Sequence, residues 1–235
     1  MNHKISWQTD SIRLTLLGSV EAAPSFSWSA LTGKQPESVT SRPQQQLNVE
    51  EGSWENGHLV VNSQPGRVEI LFSAIPKDPT SIPSLGDFES LLPKFEALTS
   101  KVKLPVSARI AVGAKLNAFP GSQEKSDSLI NGALPNVRLP NGCSDVIIQY
   151  NVPKKLPKIS GLVINRIVKW SQLVVHTLQF VGGQQLANAQ EHIVQLELDI
   201  NTSPLSKLPH PDQYGLVLKA LYAEVSDISK LENIT

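Results

Sequence analysis

The sequence predicts an α+β protein: a mainly antiparallel, twisted sheet with helices on one face, built as two pseudo-repeated halves. Three observations predict it. Apolar residues recur at every second position in several runs, the period of a half-buried strand. Two other runs, near Leu85 and near Pro211, switch to three- and four-residue steps, the stripe of an amphipathic helix. The order of strand-like and helical runs is similar in residues 1–103 and 104–235, although no residue-level repeat accompanies it. The two segments read as an N-terminal and a C-terminal α+β half able to share one continuous sheet.

In the first half, "SIRLTLLG" puts Ile12, Leu14 and Leu16 on one face and Arg13 and Thr15 on the other. A short helix near "FSWSALTG" and strand material around "QQLNVE" follow. "GHLVVNS" and "RVEILFSA", separated by "QPG", read as a hairpin over 57–73. Phe88, Leu91, Leu92, Phe95, Leu98 and Val102 then mark a helix over 86–102, and Pro105 helps to end it.

The second half opens with "VSARIAVGAKLNAF", a long strand expected to turn Val106, Ala108, Ile110, Val112, Ala114 and Leu116 inward. "SQEKSDSLINGAL" reads as a short helix stopped near Asn131-Gly132, where glycine supplies a left-handed cap. "SDVIIQYNV" offers Val146, Ile148, Tyr150 and Val152 to one face, and "PKKLPKIS" is a loop. "EHIVQLELDIN" alternates again. Tyr214, Val217, Leu218, Leu221, Val225 and Ile228 form the stripe of a terminal helix, with Pro211 at a first helical position.

Lys plus Arg and Asp plus Glu each total 21, so net charge supplies no long-range pull toward nucleic acid or an anionic membrane. Nucleic acid is therefore not the favoured partner, and no membrane association is expected. The single cysteine, Cys143, excludes an internal disulfide framework and a cysteine-based metal cage. Gln8, Asp10 and Arg13 interrupt any apolar core of a signal peptide, so a cytoplasmic location is expected.

"GLVINRIVKWSQLVVHTLQFVGG", residues 161–183, is rich in β-branched residues yet carries Arg166, Lys169, Gln172 and His176. Those polar residues oppose membrane insertion, and the β-branched ones oppose a helix. One straight strand of this length would span about 66 Å at roughly 3.3 Å per residue, so a bend, bulge or turn is expected near Ser171. A tight turn there makes Arg166 and His176 cross-strand neighbours. With Gln172 they then form a candidate pocket for an anionic small ligand. The competing reading leaves the polar residues partly exposed at the bend, or pairs Arg166 with a carboxylate, since polar residues that interrupt strands are mostly satisfied structurally.

Candidate chemistry elsewhere is sparse. Glu197 and Asp199 project from one strand face and could serve a metal-dependent hydrolase together with a histidine, but a solvated sheet face produces the same pattern. The histidines show no metal-ligand spacing, and no phosphate-cradling loop or nucleophile elbow is present. No catalytic residue, metal or cofactor is assigned. The basic group Lys154, Lys155 and Lys158 with Lys169, near Arg109 and Lys115 if the strands share a sheet, is the candidate interaction surface. Trp170 joins it as an aromatic anchor, and Trp28 and Trp54 would serve likewise if exposed.

"SIRLTLLG", "GLVINRIVKW" and "VQLELDIN" followed by a terminal helix resemble, in kind and spacing, a sporadically distributed, uncharacterised family of bacterial proteins of about 250 residues. The resemblance covers short pieces of the chain. It implies a cytoplasmic bacterial α+β protein, often an accessory of mobile or defence-related loci, and it supplies no catalytic residues.

The sequence therefore leads to a non-enzymatic interaction or adaptor protein that associates with itself or with a protein partner. The runner-up is a small-molecule sensor with its ligand between the halves near Arg166 and His176. A metal-dependent hydrolase ranks third.

Overall fold

The structure, a computed structural model, describes residues 5–18, 26–78, 81–140, 142–159, 161–181 and 184–230, with backbone alone for 177–181 and 184–189. Its centre is β1 (Gln8–Leu17) lying antiparallel to β6 (Arg109–Ala118), with Ile12 opposite Ala114, Leu14 opposite Val112 and Leu16 opposite Ile110. Alternation makes the rest follow: these even-numbered side chains are buried, whereas Arg13 and Lys115 stand on the other face. Through this central pair both halves join one antiparallel sheet.

From β1 the sheet extends outward through β5 (Arg67–Ser73), β4 (Gly57–Gln64), β3 (Leu47–Trp54) and β2 (Ser38–Arg42). From β6 it extends through β10 (Gln184–Thr202), β9 (Val163–Val181) and β7 (Ile147–Asn151), and β8 (Lys154–Lys155) continues the same edge beside β9. Four helices pack on the sheet: α1 (Trp28–Thr32), α2 (Phe88–Thr99), α3 (Gln123–Ala133) and α4 (Tyr214–Ser229). Each half thus runs strand, helix, four strands, helix.

Local chemistry sets the boundaries. Ser27, Asp87 and Ser122 cap α1, α2 and α3 by accepting from the backbone N–H of Ala30, Ser90 and Lys125. The hairpin of β4 and β5 closes through Gln64-Pro65-Gly66-Arg67, where Pro65 suits the second turn position and Gly66, at φ 73°, the third. Helix α3 runs through Gly132 instead of ending there; Leu134 leaves helical geometry at φ −126° and ψ 71° because Pro135 disfavours helix in the residue before it. Val106 and Ala108 precede β6 and are exposed, so the inward face begins only at Ile110. The "PKKLPKIS" segment contributes β8 as well as loop.

The core lies between the helices and one face of the sheet, which carries even-numbered residues of β1, β5, β6, β9 and β10 and the odd-numbered Leu59 and Val61 of β4. Phe88, Leu91, Phe95 and Leu98 of α2 and Val217, Leu221, Val225 and Ile228 of α4 meet Leu14, Val112, Leu196 and Ile200 in one buried cluster. Full burial of each such side chain contributes about 1.5–3 kcal/mol. Tyr222 links the two long helices by a 2.8 Å hydrogen bond with Thr99. Trp28 and Trp170 are fully enclosed in the same cluster, while Trp54 packs edge-on against Phe72 from a half-buried position.

Candidate interaction site

Neither a turn nor a bulge falls near Ser171. β9 is one 19-residue strand that pairs from Ile164 to Val181 with the equally long β10, with one register shift, between Gln185 and Ala187. A strand of this length fits because it does not stay within the body of the sheet. β7 ends with Ile147 opposite Ser171, and β6 ends with Ala118 opposite Val194. Beyond those pairs β9 and β10 continue together for roughly ten residues each, a two-stranded ribbon of about 33 Å.

The register therefore separates the residues proposed to meet. Arg166 stands opposite Ile200 within the sheet, and His176 stands opposite Gln190 on the ribbon. Arg166 faces the core, donates from Nε to the Val152 carbonyl at 3.0 Å and lies 3.6 Å from Glu224 of α4. Lys154 bonds to the same buried carboxylate. The pairing of Arg166 with a carboxylate is the reading this geometry supports: Arg166 and Lys154 fasten the β7–β8 edge to α4. Gln172 is also engaged, donating to Asp127 of α3 at 2.6 Å, and Gln123 joins both of them and the Cys143 carbonyl.

Trp170 is 0% exposed and cannot touch a partner, because its even-numbered position turns it into the core. It packs against Trp7 with ring centroids 5.9 Å apart. Lys154 is held by Glu224, whereas Lys155 and Lys158 are exposed. Burial raises the Tyr150 pKa, with the neighbouring Trp170 and Arg166 acting in the opposite direction.

Lys169 lies on the open face, 3.0 Å from Glu197. Two further cross-strand ion pairs flank it, Arg13 with Asp199 at 3.8 Å and Lys115 with Asp10 at 3.7 Å. Asn201 extends the network to Asp199, Asn165 and Arg109. Together these strands form a shallow groove of about 340 Å³ lined by Arg13, Gly113, Lys115, Lys169, Glu197 and Asp199. The two carboxylates considered for hydrolysis are thus each matched to a cation. His58 bonds to Glu51, His210 to Asp212, and His176 and His192 lie on the ribbon, so no described histidine lines this groove. No three His, Cys, Asp or Glu side chains converge as a metal site among the described residues. His3 lies outside them.

The ribbon is the feature that residue-by-residue reading missed. Its root carries exposed aliphatics: Leu173, Val174 and Val175 are 38%, 39% and 36% exposed, and Ile147 beside them is 66% exposed. A signal was present. Residues 171–193 contain no Lys, Arg or Pro, the residues with which sheet proteins usually block open strand edges. Among the described residues no helix is long and apolar enough to cross a membrane. No family model matches the chain, and no curated protein matches it.

Proposed function

We propose that this protein is a non-enzymatic interaction or adaptor protein of a bacterial cytoplasmic complex, linked to mobile or defence-related loci, and that it makes its contacts through the β9–β10 ribbon and the adjoining open sheet face. The supporting observation is internal to the fold. The first half closes its corresponding hairpin, β4 and β5, with the two-residue turn Pro65-Gly66. The second half occupies the same place with strands of 19 residues each. A sheet of this topology does not need the extension, and a two-stranded ribbon with exposed aliphatic side chains is only marginally stable alone in water. Contact with another surface supplies what the ribbon lacks.

The test is site-specific photocrosslinking in host cells. A photoreactive residue at Val175 is expected to form discrete protein adducts that the same residue at Leu216, an exposed position on α4, does not form. Equal labelling at both positions would contradict the proposal.

A sensor reading persists in altered form, since the groove between Arg13 and Lys169 offers polar groups to a small ligand while the Arg166–His176 site is taken apart by the register. Its charged side chains are already matched across the strands, Arg13 with Asp199, Lys169 with Glu197 and Lys115 with Asp10, which favours the interaction reading.

A further inference from the structure

Resting on that reading, we infer that the partner of the ribbon is a second copy of this chain, joined by antiparallel pairing of the two β9 edges into a symmetric dimer. The direction of the backbone groups identifies the edge. Gln172 donates its N–H to the Val146 carbonyl at 2.9 Å, and Val152 donates to the Arg166 carbonyl at 3.1 Å. Even-numbered residues of β9 therefore turn both backbone groups toward β7, and odd-numbered ones bond to β10. Ser203 donating to the Val163 carbonyl agrees with that alternation. Past Ser171 no β7 residue remains, so the backbone N–H and C=O of Val174 and His176 point outward along an edge with no strand beside it among the described residues.

Charge selects the occupant. Residues 171–181 carry no Asp, Glu, Lys or Arg, and within 171–193 Glu191 is the one such residue. An acidic or basic partner has nothing to grip there, whereas two copies of this edge meet without repulsion. The other sheet margins differ: β2 carries Arg42 and leads straight into Pro43, and the β7–β8 margin carries Pro153, Lys154 and Lys155. Those devices hinder edge pairing, and the ribbon alone lacks them. An edge that pairs with its own copy forms an isologous contact, which closes at two chains. Ile147, Leu173 and Val175 lie at the root of the same ribbon, so apolar burial accompanies the backbone bonds.

Val174→Pro tests this directly. It removes an N–H that points away from β10, so the β9–β10 ladder keeps its bonds while the free edge loses a donor. Sedimentation of the 25.6 kDa chain at roughly 10–100 µM is expected to give twice that mass for the wild type. The Val174→Pro chain, with an unchanged thermal midpoint, is expected to dissociate at least tenfold more readily. Val174→Lys, which leaves the backbone donor but blocks close approach, should act in the same direction. A wild type that sediments as a monomer overturns the inference, and so does a dimer indifferent to both substitutions. If the purified chain is a monomer while Val175 still captures a different polypeptide in cells, self-pairing is overturned and the interaction reading stands. If Val175 captures nothing beyond the Leu216 control, the interaction reading itself fails.

Discussion

Ile147 stands opposite Ser171 at the last strand pair between β7 and β9, and beyond the bond from the Gln172 N–H to the Val146 carbonyl β9 keeps β10 as its strand partner and loses its other neighbour. A single end point on a short strand thus converts the middle of a sheet into a projecting ribbon. Everything proposed about contact follows from where that pair falls.

A positive charge on the ribbon edge should act as a block. His176→Lys places a lysine where its backbone groups face outward, the means by which natural edge strands avoid pairing. Dimer dissociation at least tenfold easier is expected by sedimentation, with little change in thermal midpoint, since His176 is exposed and its cross-strand neighbour is Gln190.

The Arg166–Glu224 contact should matter for stability and not for association. Glu224→Ala leaves the buried guanidinium without its carboxylate, and Lys154 loses the same partner. Breaking a buried pair in this way costs about 3–5 kcal/mol, and the Val152 carbonyl that remains bonded to Arg166 places the expected loss at the lower end. Denaturant unfolding reads the loss. Crosslinking from Val175, measured below the unfolding transition, should be unchanged.

Alkaline titration should expose the buried tyrosines. Burial raises the Tyr222 pKa in the folded state above its ordinary value, and Tyr150 is shifted in the same direction. A raised folded pKa gives stability that is fully present below the unfolded value, about pH 10, and is lost as pH rises beyond it. Unfolding free energy should therefore hold near neutral pH and fall above about pH 10. Tyr222→Phe should reduce that alkaline fall while lowering stability at pH 7 by about 1 kcal/mol through loss of the Thr99 hydrogen bond.

Gly57 should tolerate no side chain. A Cβ there would approach Leu85 Cδ2 to 2.3 Å and the Ser73 carbonyl to 2.7 Å. Gly57→Ala is expected to destabilise the first half by about 1–3 kcal/mol, since the backbone contact cannot rotate away. Thermal melting measures it.

The fold was largely legible because alternation and helical stripes are local signals. Leu14 and Leu16, Val194 and Leu196, and the Phe88–Leu98 stripe each declare an inward face within a few residues. The site was less legible, because an open edge depends on where neighbouring strands stop. Nothing near Ser171 in the sequence shows that β7 ends opposite it. A turn at Ser171 would join Arg166 and His176, but β9 runs through Ser171 in register with β10, which sets Arg166 opposite Ile200 and His176 opposite Gln190. A large aromatic such as Trp170 suits both a core and an interface. Its even-numbered position, opposite the buried Leu196, decides for the core. What the sequence did carry about the ribbon was an omission: no Lys, Arg or Pro from residue 171 to 193.

The most direct measurement shortens the ribbon to match the first half. Leu173 and Ile193 form an odd-numbered, hydrogen-bonded pair, so replacing residues 174–192 by Asn-Gly closes the hairpin with a favoured two-residue turn. The paired sheet from β1 to β7 is left whole. Sedimentation of this chain beside the wild type is expected to show a monomer against a dimer, with similar thermal midpoints at equal dilution. A shortened chain that still sediments as a dimer, or a wild type that does not, would contradict the account.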